Sequence, residues 1–185
     1  SSLKEIVIPD GVTSIGSDAF NRCKALETVV MGNNVESIKI RAFYSCSSLK
    51  NINLSEALTS IGVNVFWDCD SLEVINIPLN VASVEHQAFR GCDKLETVYF
   101  SDGVKRIAER VFMNCESIRN IIIPESVTEI SPMAFALCKD VTILGTKDSY
   151  AHKYAVENNF DFIGFEINDK GYAVITAFES PSTVD

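Results

Sequence analysis

Positive charge is scarce in this chain. Sixteen Lys and Arg stand against 25 Asp and Glu, a net charge of −9 over 185 residues. Such a surface repels phosphate, which argues against nucleic acid and anionic membrane as partners. No run of about eighteen apolar residues occurs, so no segment is expected to insert directly into a membrane as a helix. Histidine is rare: His86 and His152 are the whole set, and neither is paired with a Ser or Cys in a recognisable nucleophile motif. GxSxG, HExxH, Walker and dinucleotide fingerprints are missing. CxxC is missing too, and no histidine lies at ligand spacing from a cysteine, so a zinc site lacks its usual sequence. No catalytic residue, metal or cofactor is expected, and an enzyme is the least favoured class.

What is present is a period. The cysteines are Cys23, Cys46, Cys69, Cys92, Cys115 and Cys138, each 23 residues after the last. Phenylalanine precedes each by three: Phe20, Phe43, Phe66, Phe89, Phe112 and Phe135. Apolar columns follow at the same interval, among them Leu26/Leu49/Leu72/Leu95/Ile118/Val141 and Val29/Ile52/Ile75/Val98/Ile121/Leu144. The columns predict one register from end to end, without a slip. Self-similarity at this period marks a solenoid. Leu3, Ile6, Ile8, Val12, Ile15 and Ala19 obey the columns as well. The phase places Ser1 inside a repeat, so further repeats are expected upstream.

Each repeat has a physical reading. The x-I-x-I segment, as in "ETVVM" or "LEVINI", is a short β-branched strand with alternate residues inward. Asp10-Gly11, Asn33-Asn34 and Asp102-Gly103 mark a corner and are expected to supply left-handed backbone there. A V-x-x-I piece crosses the coil, and x-A-F-x-x-C makes a helical or 3₁₀ return turn. One coil cannot bury its own apolar positions, whereas stacked coils can, with parallel strands pairing coil to coil. Seven coils at about 4.8 Å spacing predict a body roughly 30 to 35 Å long.

The pattern C-x-x-L-x-x-I-x-I-P-x-x-V-x-x-I-x-x-x-A-F resembles the BspA-like leucine-rich repeats, and residues 1–140 carry it throughout. The proline of the pattern is Pro9, Pro78 and Pro124, replaced by Gly32, Ser55 and Ser101 elsewhere. The resemblance implies an α/β solenoid. Its right-handed leucine-rich-repeat coil would carry one short parallel strand per 23-residue repeat, short helical or 3₁₀ return turns and a C-terminal helix–strand cap. It also implies a secreted or cell-surface bacterial protein, extracellular, that binds host, matrix or other cell-surface proteins in adhesion or host interaction. A structural spacer or scaffold displaying other domains is the alternative.

After Cys138 the repeat fades. "SYAHKYAVENN" reads as a helix with Ala151, Tyr154 and Ala155 on its apolar face and Asp148 or Ser149 at its N-cap, and "FDFIGF" as a strand. Residues 141–165 are expected to close the array, because a terminal coil otherwise exposes core and an open strand edge. Residues 166–185 read as a strand and tail, either the opening of another module or a short strand packed on the cap, with a turn at Asn168–Gly171.

Two surfaces and one ladder are candidates for function. Outward strand residues Val30, Asn53, Asn76, Tyr99 and Ile122, continuing the column begun by Val7, form a candidate protein-binding row, with Tyr99 as an aromatic anchor. Ile40, Tyr44, Val63 and Trp67 on the return turns form an alternative patch. The phenylalanine and cysteine columns are structural. Parallel side chains one coil apart keep Cβ atoms near 5 Å, beyond disulfide preference, so buried free thiols are expected.

Overall fold

The computed structural model describes residues 2–169 and 173–181. Each of the first six coils lays down one strand and then a two-residue strand. In chain order these are β1 (Glu5–Ile8) and β2 (Ser14–Ile15), β3 (Thr28–Met31) and β4 (Ser37–Ile38), and β5 (Asn51–Asn53) and β6 (Ser60–Ile61). They continue as β7 (Val74–Ile77) and β8 (Ser83–Val84), β9 (Thr97–Phe100) and β10 (Arg106–Ile107), and β11 (Asn120–Ile122) and β12 (Glu129–Ile130). The seventh coil supplies β13 (Thr142–Gly145), and the chain ends with α1 (Tyr150–Glu157), β14 (Asp161–Ile167) and β15 (Ala173–Glu179).

The longer strands pair in parallel, each residue opposite its equivalent one coil away: Val29 opposes Ile6, and Val98 opposes Ile75. The short strands build a second parallel sheet, unbroken from β2 to β12. Alternation does the sorting. Val98 and Ile121 are fully buried while their neighbour Tyr99 is 47% exposed, as a strand with one face on the core requires.

The return turns are chains of i+3 hydrogen bonds, such as Phe66 O accepting from Cys69 N–H, and they never lengthen into a helix. Left-handed residues interrupt them at two fixed phases, seen at Asn64 and Asp68 and again at Arg110 and Asn114. The expectation of left-handed backbone at Asp10-Gly11, Asn33-Asn34 and Asp102-Gly103 is corrected: none of these residues has positive φ. The first and third corners close instead by the hydrogen bonds Val12 N–H to Pro9 O and Val104 N–H to Ser101 O, and at the second Asn33 N–H donates to Asp10 Oδ1. Gly103 serves closeness of approach, since a Cβ there would run into the Leu79 carbonyl oxygen.

Phenylalanine rings stack through the core with centroids 5.1 to 5.5 Å apart, from Phe20 to Phe135. The stack ends edge-on against Tyr154 of α1 and against Phe160. Ser149 is the N-cap of α1, its hydroxyl accepting from His152 N–H, and Ala151, Tyr154 and Ala155 are buried as the sequence predicts. His152 is buried too. Its Nδ1 accepts from Asp148 N–H, and its Nε2 lies 2.9 Å from a Glu179 carboxylate oxygen, pinning β15 to the helix. β14 adds in parallel to β13, and β15 adds antiparallel to β14. Of the expected turn at Asn168–Gly171, Lys170 and Gly171 lie outside the described residues.

Two departures from the repeat matter for the surface. First, the seventh coil is one residue short. Asn120 opposes Thr142, Ile121 opposes Ile143 and Ile122 opposes Leu144. The expectation of no register slip fails here, and Ile143, fully buried, takes the inward place assigned to Leu144. The physical reason is the alternation Val141–Ile143–Gly145, all buried, which needs only one residue between the first two where earlier coils have two. Second, the main sheet is interrupted. β5 closes a three-stranded sheet and β7 opens a six-stranded one, while β6 and β8 remain paired on the other side of the same coils.

Candidate functional site

The outward strand residues are ordered by the register. Val7 opposes Val30, which opposes Asn53. Beyond the interruption, Asn76 opposes Tyr99 and Tyr99 opposes Ile122. Directly opposed residues stand close enough for their side chains to touch. Val7, Val30, Asn53, Asn76 and Tyr99 are exposed and Ile122 is half-buried. The structure therefore brings Tyr99 and Ile122 together but separates Asn53 from Asn76. Between those two lies a crevice of about 330 Å³ lined by Lys50, Asn51, Ile52, Asn53, Glu73, Val74 and Asn76.

The slip in the seventh coil lengthens the row. Ile122 opposes Leu144, Leu144 opposes Ile163 of β14, and Ile163 opposes Phe178 of β15. Leu144 and Ile163 are half-buried and Phe178 is 63% exposed. An unbroken apolar line thus runs from Tyr99 across five neighbouring strands. Repeat counting hides it, because counting places Leu144 in the core. The usable signal is the tetrapeptide Val141–Leu144, which is apolar in both registers.

On the return turns, Tyr44 and Trp67 meet with ring centroids 5.4 Å apart and planes tilted by 58°. The Arg90 guanidinium lies 4.4 Å over the Trp67 ring. Ile40 is exposed, whereas Tyr44, Val63 and Trp67 are half-buried. Most of this alternative patch is thus spent on contacts between coils. His86 is half-buried.

All six cysteines are free thiols. Five donate to a phenylalanine carbonyl in the coil before: Cys46 to Phe20, Cys69 to Phe43, Cys92 to Phe66, Cys115 to Phe89 and Cys138 to Phe112, at 3.0 to 3.2 Å. Each of those carbonyls also accepts the N–H of the cysteine in its own coil, as Phe66 O does from Cys69. The thiol is a small weak donor, and here it takes the second lone pair of that carbonyl. Burial pushes the Cys46 and Cys138 thiols up to about 12 and raises those of Cys69, Cys92 and Cys115. A thiol held neutral this firmly is a poor nucleophile and a poor metal ligand.

Comparison with known proteins agrees with this geometry. The sequence model of the BspA type leucine rich repeat region matches in six copies, over residues 1–118 and 64–170. A leucine-rich repeat protein from Bacteroides ovatus is 31% identical, with a TM-score of 0.67 over 78% of this chain and 40% of its own length. One from T. pallidum is 26% identical, with a TM-score of 0.62 over 86% of this chain and 72% of its own. The pneumococcal vaccine antigen PcpA shares the fold at 19% identity, with a TM-score of 0.74 over 89% of this chain and 42% of its own. The chain thus spans about two fifths of the length of the B. ovatus protein and of PcpA. No curated protein matches it.

Proposed function

We infer the role of this chain from the family it belongs to, the BspA-type leucine-rich repeat proteins, whose repeats serve as protein-interaction modules. It is a non-enzymatic protein-binding module of a secreted or cell-surface bacterial protein, acting in adhesion or host and matrix interaction. Recognition uses the outer face of the main sheet and needs no chemistry. The observation that carries this reading is the direct opposition of Tyr99 and Ile122 on that face, an aromatic beside a branched aliphatic. A preformed sheet adds to it, because little conformational entropy is lost when rigid strands meet a partner. The alternative patch around Tyr44 and Trp67 is second, since its rings already pack on one another and on Arg90.

Residues 1–140 are read as the repeat array, 141–165 as its closing segment, and 166–185 as a strand and tail. A pull-down against extracellular matrix proteins tests the function. Specific capture that is lost in Tyr99→Ala/Ile122→Ala and kept in Tyr44→Ala/Trp67→Ala is the expected result. No specific capture by the folded chain would make it a spacer that displays other domains.

A further inference from the structure

The row Tyr99–Ile122–Leu144–Ile163–Phe178 crosses five strands at about 4.8 Å each, so it is about 19 Å long. Its inward counterparts Val98, Ile121, Ile143 and Phe162 are fully buried, so the row lies wholly on the outer face. Strands at the end of a sheet are normally blunted by charge, proline or shortness. β15 has none of these over Ala173–Phe178 and shows Val174, Ile175 and Phe178 to solvent.

The charges beside the row are mostly carboxylates, three against the single cation Arg119. Asp161 opposes Thr142 two residues before the row, on the same face. Glu73 and Glu96, exposed, precede β7 and β9 where those strands enter the sheet. Among the described residues, none of these three carboxylates is in an ion pair, unlike Glu27 in the earlier coils, which holds Lys50 at 3.0 Å. Arg119, the cation at the equivalent position of the next coil, gives one guanidinium nitrogen to the carbonyls of Glu116, Ile118 and Lys139.

We propose that the C-terminal half of the sheet face, from Tyr99 to Phe178, is a docking strip for a single basic, amphipathic segment of another protein. Its apolar side covers the row and its Lys or Arg side chains meet Glu73, Glu96 and Asp161. Size argues for a segment over a second copy of the chain. A strip about 19 Å long and a few residues wide offers a few hundred Å², well below the roughly 800 Å² per partner of a stable protein–protein interface. Charge argues the same way, because a second copy would bring another net −9 to an acidic rim. This inference rests on the reading of the outer sheet face as a protein-binding surface and names the partner that the face fits.

The test uses the full chain and a fluorescently labelled amphipathic peptide of leucine and lysine, followed by anisotropy at low and high salt. Binding that weakens with salt is expected, with affinity lower by about tenfold or more in Ile122→Ser/Phe178→Ser. Glu73→Gln/Glu96→Gln is expected to bind more weakly and to flatten the salt dependence. Val7→Ser/Val30→Ser, on the far side of the sheet interruption, is expected to bind as the wild type does. Phe178→Ser alone, on the end strand, serves if the double variant does not fold. The proposal is overturned if the peptide does not bind, if the Ile122 and Phe178 changes leave its affinity intact, or if a leucine–glutamate peptide binds equally well. Should the peptide fail while matrix capture still depends on Tyr99 and Ile122, this proposal falls and the binding function stands. Should matrix capture fail while the peptide binds through Ile122 and Phe178, the adhesion role falls and the docking strip stands.

Discussion

The thiol of Cys92 lies 3.2 Å from the carbonyl oxygen of Phe66, one coil earlier, and donates to it. The same contact recurs from Cys46 to Cys138, so the cysteine column is a row of donors that ties each coil to the one before. Cys92→Ala is expected to lower stability by about 1–2 kcal/mol through a lost hydrogen bond and a small cavity. Cys92→Ser, which keeps a donor, is expected to lose less. Urea midpoints measure both, and serine as damaging as alanine would mean that the thiol matters for volume alone.

The buried thiols also make stability depend on alkaline pH. Their folded values are raised above the ordinary 9.0, to about 12 for Cys46 and Cys138. The folded state therefore holds these protons more tightly than the unfolded chain. Their contribution is intact below about pH 9 and is lost as pH rises from there towards 12. Each thiol in that window removes about 1.4 kcal/mol per pH unit. The melting temperature is expected to fall steeply above pH 9, and less steeply when Cys69, Cys92 and Cys115 are all changed to Ser. An equal slope in that variant would contradict the thiol origin.

Phe89 sits fully buried between Phe66 and Phe112, with ring centroids at 5.1 and 5.5 Å. Phe89→Ala opens a cavity in the middle of the stack and is expected to cost about 3–5 kcal/mol by chemical denaturation. Phe20, half-buried on the first coil and stacked on one side only, is expected to cost clearly less on the same change.

The interruption between β5 and β7 predicts uneven protection. In native-state hydrogen exchange, the amides of Val74–Asn76 that face β5 are expected to exchange faster than their equivalents in Thr97–Tyr99, which are paired to β7. Equal protection of the two sets would show a continuous sheet.

The period, the inward columns, the strands and the phenylalanine and cysteine ladders were legible because each rests on side-chain type repeated at fixed spacing. Helix α1 was legible from Ala151, Tyr154 and Ala155. Three features were not. The break beside Asn53 and Asn76 is a matter of backbone separation, and no residue type marks it. The left-handed residues, such as Arg41 and Gln87, are ordinary types whose N–H groups donate to the next coil, to Val63 O and Glu109 O. The slip at the seventh coil was hidden because Ile143 and Leu144 are equally apolar, so pattern alone accepts either as the inward residue. That ambiguity concealed half of the candidate surface: with Leu144 turned outward, Ile163 and Phe178 join Tyr99 and Ile122.

The outer row depends on that register, and cysteine accessibility reads it directly. In a Cys23→Ser/Cys138→Ser background, which removes the two half-buried thiols, Leu144→Cys and Ile143→Cys are each treated with a maleimide at neutral pH. The buried thiols of the ladder are expected to stay silent until the chain unfolds. Position 144 is predicted to label in the native state and position 143 only after denaturation. Rapid labelling at 143 with protection at 144 would place Leu144 in the core, break the row at Ile122 and contradict a continuous docking face.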